Sequence, residues 1–320
     1  MIGAILQGLA SGAAYALVAV GLILVFKGSR VLNLAQGEIG ATSFLLVLTV
    51  WRGLGFIDQN DVTATSLLAG IGLLLTTVVL SAGLGILIER LIMRRLVGRP
   101  AVDGTIATLG LAVVLFNMQF LFAKIPFTDI PLFLPSSASS YPINVPPVVG
   151  TGAIDIFGAN INNSLMAAAI VTAIVGAGLA YFFNKTKFGL GVVAATSDNT
   201  VARILGIPVN KVYMFTWGVG GALSGLAAGL IATGVNGSLI KPADMTLAVI
   251  IALAAAVIGG LDNVWGGIIG GLLVGVVRAV SQHVFGGVSG VQDLAVLLLV
   301  LVTLMARPRG LVGGLGAEVA

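Results

Sequence analysis

The chain has 320 residues, of which 58% are hydrophobic and only 9% charged. A soluble domain carries about 25% charged residues, and ~300 residues cannot cover a water-facing surface with so few. This excludes an ordinary cytosolic enzyme, a nucleic-acid-binding domain and a disordered chain, and makes lipid the solvent. The net charge of +4 (pI ≈ 9.6) does not point to nucleic acid, because the basic residues stand between long apolar runs. Cysteine is absent and His283 is the single histidine, so no disulfide framework, Cys-based zinc site or multi-His metal site is available within the sequence.

The predicted fold is an all-α integral membrane protein, a polytopic helical bundle in one transmembrane domain over 1–320. Apolar runs of ~20 residues, enough to cross ~30 Å of hydrocarbon, recur along the chain. The predicted segments are 4–26, 37–51, 65–89, 104–123, 164–184, 212–233, 245–261, 264–283 and 290–306. Several are short or interrupted by glycine, so the count is about eight to ten. The first run is followed, not preceded, by Lys27 and Arg30, which marks a retained helix and not a signal peptide.

Lys and Arg set the expected orientation. Lys27, Arg30, Arg90, Arg94, Arg95, Arg99, Lys185, Lys187, Arg203, Lys211, Arg307 and Arg309 fall in one set of loops. Arg52, Lys124, Lys241 and Arg278 fall in the other. The positive-inside rule places the larger set in the cytoplasm, the N-terminus outside and the C-terminus inside.

Between the fourth and fifth segments, 124–163 holds six of the ten prolines and a serine run. It is expected to form a small extracytoplasmic cap, with a hairpin in 148–162. The cap is either a connector or a docking surface for an external protein.

On the cytoplasmic side, 185–211 contains FGLGVVAATSDNTVARILGIP from 188 to 208. Ser197 is placed to cap a helix with Asp198 in its first turn. Val201, Ile204 and Leu205 share one apolar face, and Gly206 with Pro208 stops the helix. So short a helix must dock, on its own bundle or on another protein.

Small residues recur every four positions at Gly221, Gly225 and Gly229 and at Gly267, Gly271 and Gly275. Such stripes form grooves for close helix packing, inside the chain or at a subunit interface. Polar residues inside apolar segments are candidates for a translocation path: Asn33, Gln36, Glu38 and Asn117. Each has a plainer role. Glu38 near a helix end can cap or snorkel, and Asn117 and Gln119 can bond between helices without sharing a face. Arg278 is expected to pair with a carboxylate or snorkel, and His283 to sit at a helix end.

Four stretches then carry a family resemblance. Asp198, Ala202, Gly206 and Ile207 match in spacing the coupling loop of permeases in branched-chain amino acid ABC importers. RVLNLAQGE at 30–38 resembles that family's RV-N-A-HGE stretch, GGLDNVWGGIIGGLLVG at 259–275 its GG-G-GG-G signature, and 307–311 its terminal P-x-G-L. Gln36 stands where the family usually has His, and 262–265 replaces a more Gly-rich turn. The resemblance implies a non-enzymatic permease in the cell membrane. Its partners would be a homologous second permease, two cytosolic ATPases binding ATP and Mg, an extracytoplasmic solute-binding protein and lipid, with no nucleic acid. The implied coupling residues are Ser197, Asp198, Val201, Ala202, Ile204, Leu205, Gly206 and Ile207. No G-x-x-x-x-G-K-[ST] phosphate loop occurs, so ATP would be hydrolysed by partners, with no cofactor in this chain. The implied solute is a branched-chain amino acid, with urea, short amides or small organic acids as alternatives. A stand-alone secondary transporter or channel fits broken segments too, though few membrane carboxylates are available for coupling ions. A membrane enzyme lacks any H-E-x-x-H, paired aspartates or Ser/His dyad.

Overall fold

The computed structural model describes residues 1–57, 66–124, 142–147, 152–156, 159–197, 202, 204, 208–261 and 263–312. Ten helices of known extent lie among them. They are α1 (Ile2–Ser29), α2 (Gln36–Gly53), α3 (Leu67–Leu91), α4 (Ala101–Lys124), α5 (Asn163–Lys185), α6 (Lys187–Ser197), α7 (Val209–Leu230), α8 (Pro242–Gly259), α9 (Val264–Val284) and α10 (Val291–Ala306). A 3₁₀ turn (Met93–Leu96) follows α3, and a π turn (Ile231–Val235) extends α7. Seven helices are long and apolar enough to cross a membrane; α10 is a shorter apolar helix. The chain is therefore a polytopic membrane bundle, and nine of its helices coincide with the nine expected segments. The tenth, α6, falls in the loop expected to be cytoplasmic.

Local chemistry explains the helix starts. Ser66 accepts from the Ala69 N–H at 3.2 Å at the head of α3. Asn162 and Asn263 cap α5 and α9 through the N–H groups of Ser164 (2.8 Å) and Trp265 (2.9 Å). Lys241 precedes Pro242 at the first position of α8, and the Asp244 carboxylate accepts the Lys241 N–H at 2.7 Å.

The expected hairpin is present: β2 (Ala153–Ile156) pairs antiparallel with β3 (Ala159–Asn162). A second ribbon joins β1 (Ile143–Asn144) to β4 (Leu239–Ile240) with Ile143 opposite Ile240. Arg52, buried at the end of α2, donates from Nη2 to the Asn144 carbonyl and ties that ribbon to the bundle. Much of the remaining cap, including 125–141, lies outside the described residues.

Glycine sets the helix contacts. On α9, a Cβ at Gly275 would strike Gly12 and Gly8, one at Gly271 would strike Ala16, and one at Gly267 would strike Ile23, all on α1. On α7, Gly221 faces Ser81, Gly225 faces Ser81 and Thr77, and Gly229 faces Leu74, all on α3. All six glycines of the two stripes thus pack against helices of the same chain. With no hydrophobic drive between helices in lipid, such backbone approach is what holds them together.

The order of these contacts makes α1 antiparallel to α9 and to α7, and α3 antiparallel to α7. The contact pattern also pairs up. The α1–α9 and α3–α7 seams are the most extensive; α2 packs on α7 and α3 as α8 packs on α1 and α9; α4 lies on α2, and α10 on α9 and α8. Each of α7 to α10 runs opposite to its counterpart in α1 to α4. This is an inverted-topology repeat of four helices, with α5 and α6 as connector. It escapes sequence inspection because the halves share packing, not residues.

Replacing Gly275 by Val should lower the thermal midpoint of the detergent-purified chain by several degrees and reduce its membrane yield. Gly83→Ala, at a helical position with nothing within 4 Å, should leave both unchanged. Thermal unfolding followed by loss of monodispersity measures the difference.

Candidate functional site

The centre of the bundle is the break between α1 and α2. Arg30 ends α1 in the left-handed region (φ 57), and its N–H bonds to Phe26 at 2.7 Å. The chain then folds back, so that Gln36 contacts Gly21, about two turns in from the end of α1. Lipid offers no partners to backbone freed in this way; side chains provide them. Asn33 Oδ1 accepts the Ala35 N–H at 3.2 Å, and Asn33 Nδ2 donates to Gln36 Oε1 at 2.8 Å. Gln36 Nε2 donates to the Gly220 carbonyl at 2.7 Å, and the Ser224 hydroxyl donates to the Gln36 carbonyl. Thr108 on α4 accepts the Leu34 N–H at 3.2 Å and donates to the Leu32 carbonyl at 2.9 Å.

Two residues beyond Gln36, Glu38 lies where α2 crosses α8, and Gly37 faces Met245 and Val249 there. The carboxylate is 3% exposed and accepts from Gln119 Nε2 on α4 and from the Thr246 hydroxyl on α8. Thr246 is exposed on α8, so this buried acid is one side chain away from the α8 surface.

The structure brings Asn33, Gln36 and Glu38 together and separates Asn117 from them. Asn117 is exposed on α4, and its amide donates to its own helix at Val113 (2.8 Å). Asn117 is thus withdrawn from this cluster, and Gln119, two residues on, faces inward in its place. Gln119 stood out as a polar residue in an apolar run; nothing in the sequence pointed to Ser224 or Thr246.

At the other candidate region, Ser197 is the last residue of α6, and the residues that follow it, 198–201, lie outside the described ones. Ala202 and Ile204 are helical. Ala202 is buried in a cluster with Val192, Ala195, Val209, Val212 and Tyr213, whereas Ile204 is 80% exposed. Asp198, Val201, Leu205, Gly206 and Ile207 lie outside the described residues.

Three cavities occupy the flanks. One of ≈ 230 Å³ sits where α1 and α3 end and α4 and α7 begin, lined by Arg30, Glu89, Arg99 and Trp217. Glu89, 1% exposed, accepts from Arg94 Nε (3.2 Å) and Nη2 (2.9 Å). A second, of ≈ 360 Å³, sits where the π turn and α9 end and α10 and α1 begin. The inverted repeat relates these two positions. A third, apolar cavity of ≈ 510 Å³ lies between α1, α5 and α9. Asn33, Gln36, Glu38 and Asn117 line none of the three. Among the described residues, no group of three or more His, Asp or Glu could hold a metal ion.

Glu38→Ala leaves the Gln119 amide and the Thr246 hydroxyl without their acceptor. The chain should lose about 2 kcal/mol or more of stability, while Asn117→Ala should change it by less than about 0.5 kcal/mol. Denaturant unfolding in mixed micelles compares the two.

Comparison with known proteins is consistent along nearly the whole chain. The family model described as the permease component of branched-chain amino acid transport systems matches residues 4–306. The high-affinity branched-chain amino acid transport permease BraD of Pseudomonas aeruginosa is 29% identical, over 97% of this chain and 94% of its own. LivH of Escherichia coli, named as a permease of the same kind of system, is 26% identical over 96% and 94%. A probable LivH of Methanocaldococcus jannaschii is 25% identical over 93% and 88%. A multi-pass helical bundle matched over this length is a membrane permease subunit of an ABC-type importer and not an enzyme, and the chain belongs to the family of branched-chain amino acid transport system permease components.

Proposed function

We propose that this permease carries branched-chain amino acids, or a related small polar solute, into the cell, with its N-terminus outside and its C-terminus in the cytoplasm. It does so beside a homologous second permease, two cytosolic ATPases that bind ATP and Mg, and an extracytoplasmic solute-binding protein. The observation that carries the ATPase contact is the contrast between Ala202 and Ile204. One anchors the helical segment on α6 and α7, and the other presents a bare isoleucine away from the bundle. An isoleucine at 80% exposure, two residues from the buried Ala202 and between two membrane helices, suits a groove on a water-soluble partner. The basic residues support the orientation. Lys27, Arg90, Lys185 and Lys211 gather at the end of the bundle that carries α6, and Arg52, Lys241 and Arg278 at the other.

The mechanical route follows from the packing. A push on the segment around Ala202 acts on the start of α7 through Val209, Val212 and Tyr213. Helix α7 grips α3 along Gly221 and Gly225, and grips the α1–α2 break through Gly220 and Ser224. Closure of the ATPases therefore shifts α7 against both, and the crossing of α2 with α8 moves with it. Glu38, reached through Thr246, is the polar station on this route suited to a substrate ammonium group; Asn33 and Gln36 brace the break beneath it.

Ile204→Glu tests the coupling. In proteoliposomes containing the full complex, solute-stimulated ATP hydrolysis should fall at least tenfold, with all subunits still present in the membrane. Unchanged stimulation in that variant would refute the assignment.

A further inference from the structure

The ≈ 360 Å³ cavity at the α1 N-terminal end is unused by the coupling route. Its volume is at the lower end of the roughly 300–1,000 Å³ typical of small-molecule sites. Tyr15, Asn236, Arg278, Gln282 and Gln292 give it a polar lining inside apolar segments. An arginine in a membrane segment is costly, and such residues face cavities and mark solute pathways.

The guanidinium of Arg278 is held in place. It lies over the Tyr15 ring at 5.9 Å, and its side chain is 17% exposed. Nη2 donates to Gln292 Oε1 at 3.1 Å, and Gln292 Nε2 donates in turn to Gln282 Oε1 at 2.7 Å. The other terminal nitrogen, Nη1, donates to Asp293, whose side chain is 70% exposed. The pair is thus a fixed cation with a loosely held acceptor. The exposed carboxylate can swing into water while Nη2 of Arg278 keeps its bond to Gln292. The planar guanidinium is suited to accept another carboxylate in its place.

The repeat-related cavity at the opposite end has the reverse arrangement. There the carboxylate, Glu89, is buried at 1% and the cation, Arg94, is 37% exposed. The Arg278 cavity, by contrast, holds a half-buried cation whose anion can leave.

We propose that this cavity is a binding site for a carboxylate-bearing solute, with Arg278 taking the solute's carboxylate in exchange for Asp293 and with Tyr15, Gln282 and Gln292 bordering the rest of the molecule. The site deepens the transport reading and rests on it for the solute being an amino acid.

The test is calorimetric titration of the full chain in lipid nanodiscs with L-leucine, isovalerate and the neutral isostere isovaleramide. L-leucine and isovalerate should bind at least tenfold more tightly than isovaleramide. Arg278→Gln should remove that preference. Asp293→Asn, which deletes the internal competitor, should tighten isovalerate several-fold. A mere clamp between α9 and α10 predicts no tightening in Asp293→Asn and a lower thermal midpoint. Equal binding of acid and amide, no binding of isovalerate, or no tightening in Asp293→Asn overturns the proposal. Isovalerate behaving as expected while L-leucine does not bind supports the site and counts against the amino-acid reading. L-leucine binding equally well to both variants sinks the site and leaves that reading standing.

Discussion

Hydrocarbon supplies no hydrogen-bond partner, so every backbone group freed where a helix breaks must be met from inside the bundle. The chain breaks between α1 and α2, and Asn33, Gln36, Thr108 and Ser224 meet that requirement there. The bonds come from four separate helices or turns, so the break itself ties α1, α2, α4 and α7 together. The second break, between α7 and α8, is handled by a different device. The π turn keeps part of the backbone bonded, and Asp244 gathers the Lys241 N–H and the Asn236 amide at 2.9 Å. These two breaks allow α2 and α8 to meet at Glu38 and Thr246.

Close backbone contact is the second element. Lipid tails are as apolar as leucine, so large side chains give helices no reason to prefer one another over lipid. Glycine lets α9 settle on α1 and α7 settle on α3 so closely that an added methyl group would collide with the neighbouring backbone. Other large aliphatic side chains face outward, where Leu75, Val79, Val113, Val114, Leu298 and Val302 are exposed.

The inverted repeat gives each end of the bundle a cavity made of equivalent pieces. The chemistry of the two differs. One has a buried acid with its arginine at the surface, the other a shielded arginine with its acid at the surface. Fold symmetry supplies the spaces, and a few side chains decide what each can hold.

The positions of the apolar helices were legible in the sequence, because a bilayer demands ~20 apolar residues in a row and that demand is local. The β2–β3 hairpin was legible for a related reason, since turn residues act over a few positions. Facing directions were not legible. Asn117 and Gln119 sit in a segment apolar on every side, and such a segment carries no periodic signal to tell lipid from protein. Only the docking of α4 on α2 turned Gln119 toward Glu38 and Asn117 away. In the same way Ser224 and Thr246 acquired their roles from α2, which is distant from both in sequence. Residues that meet across a membrane bundle are selected by packing between segments, which tertiary structure alone decides.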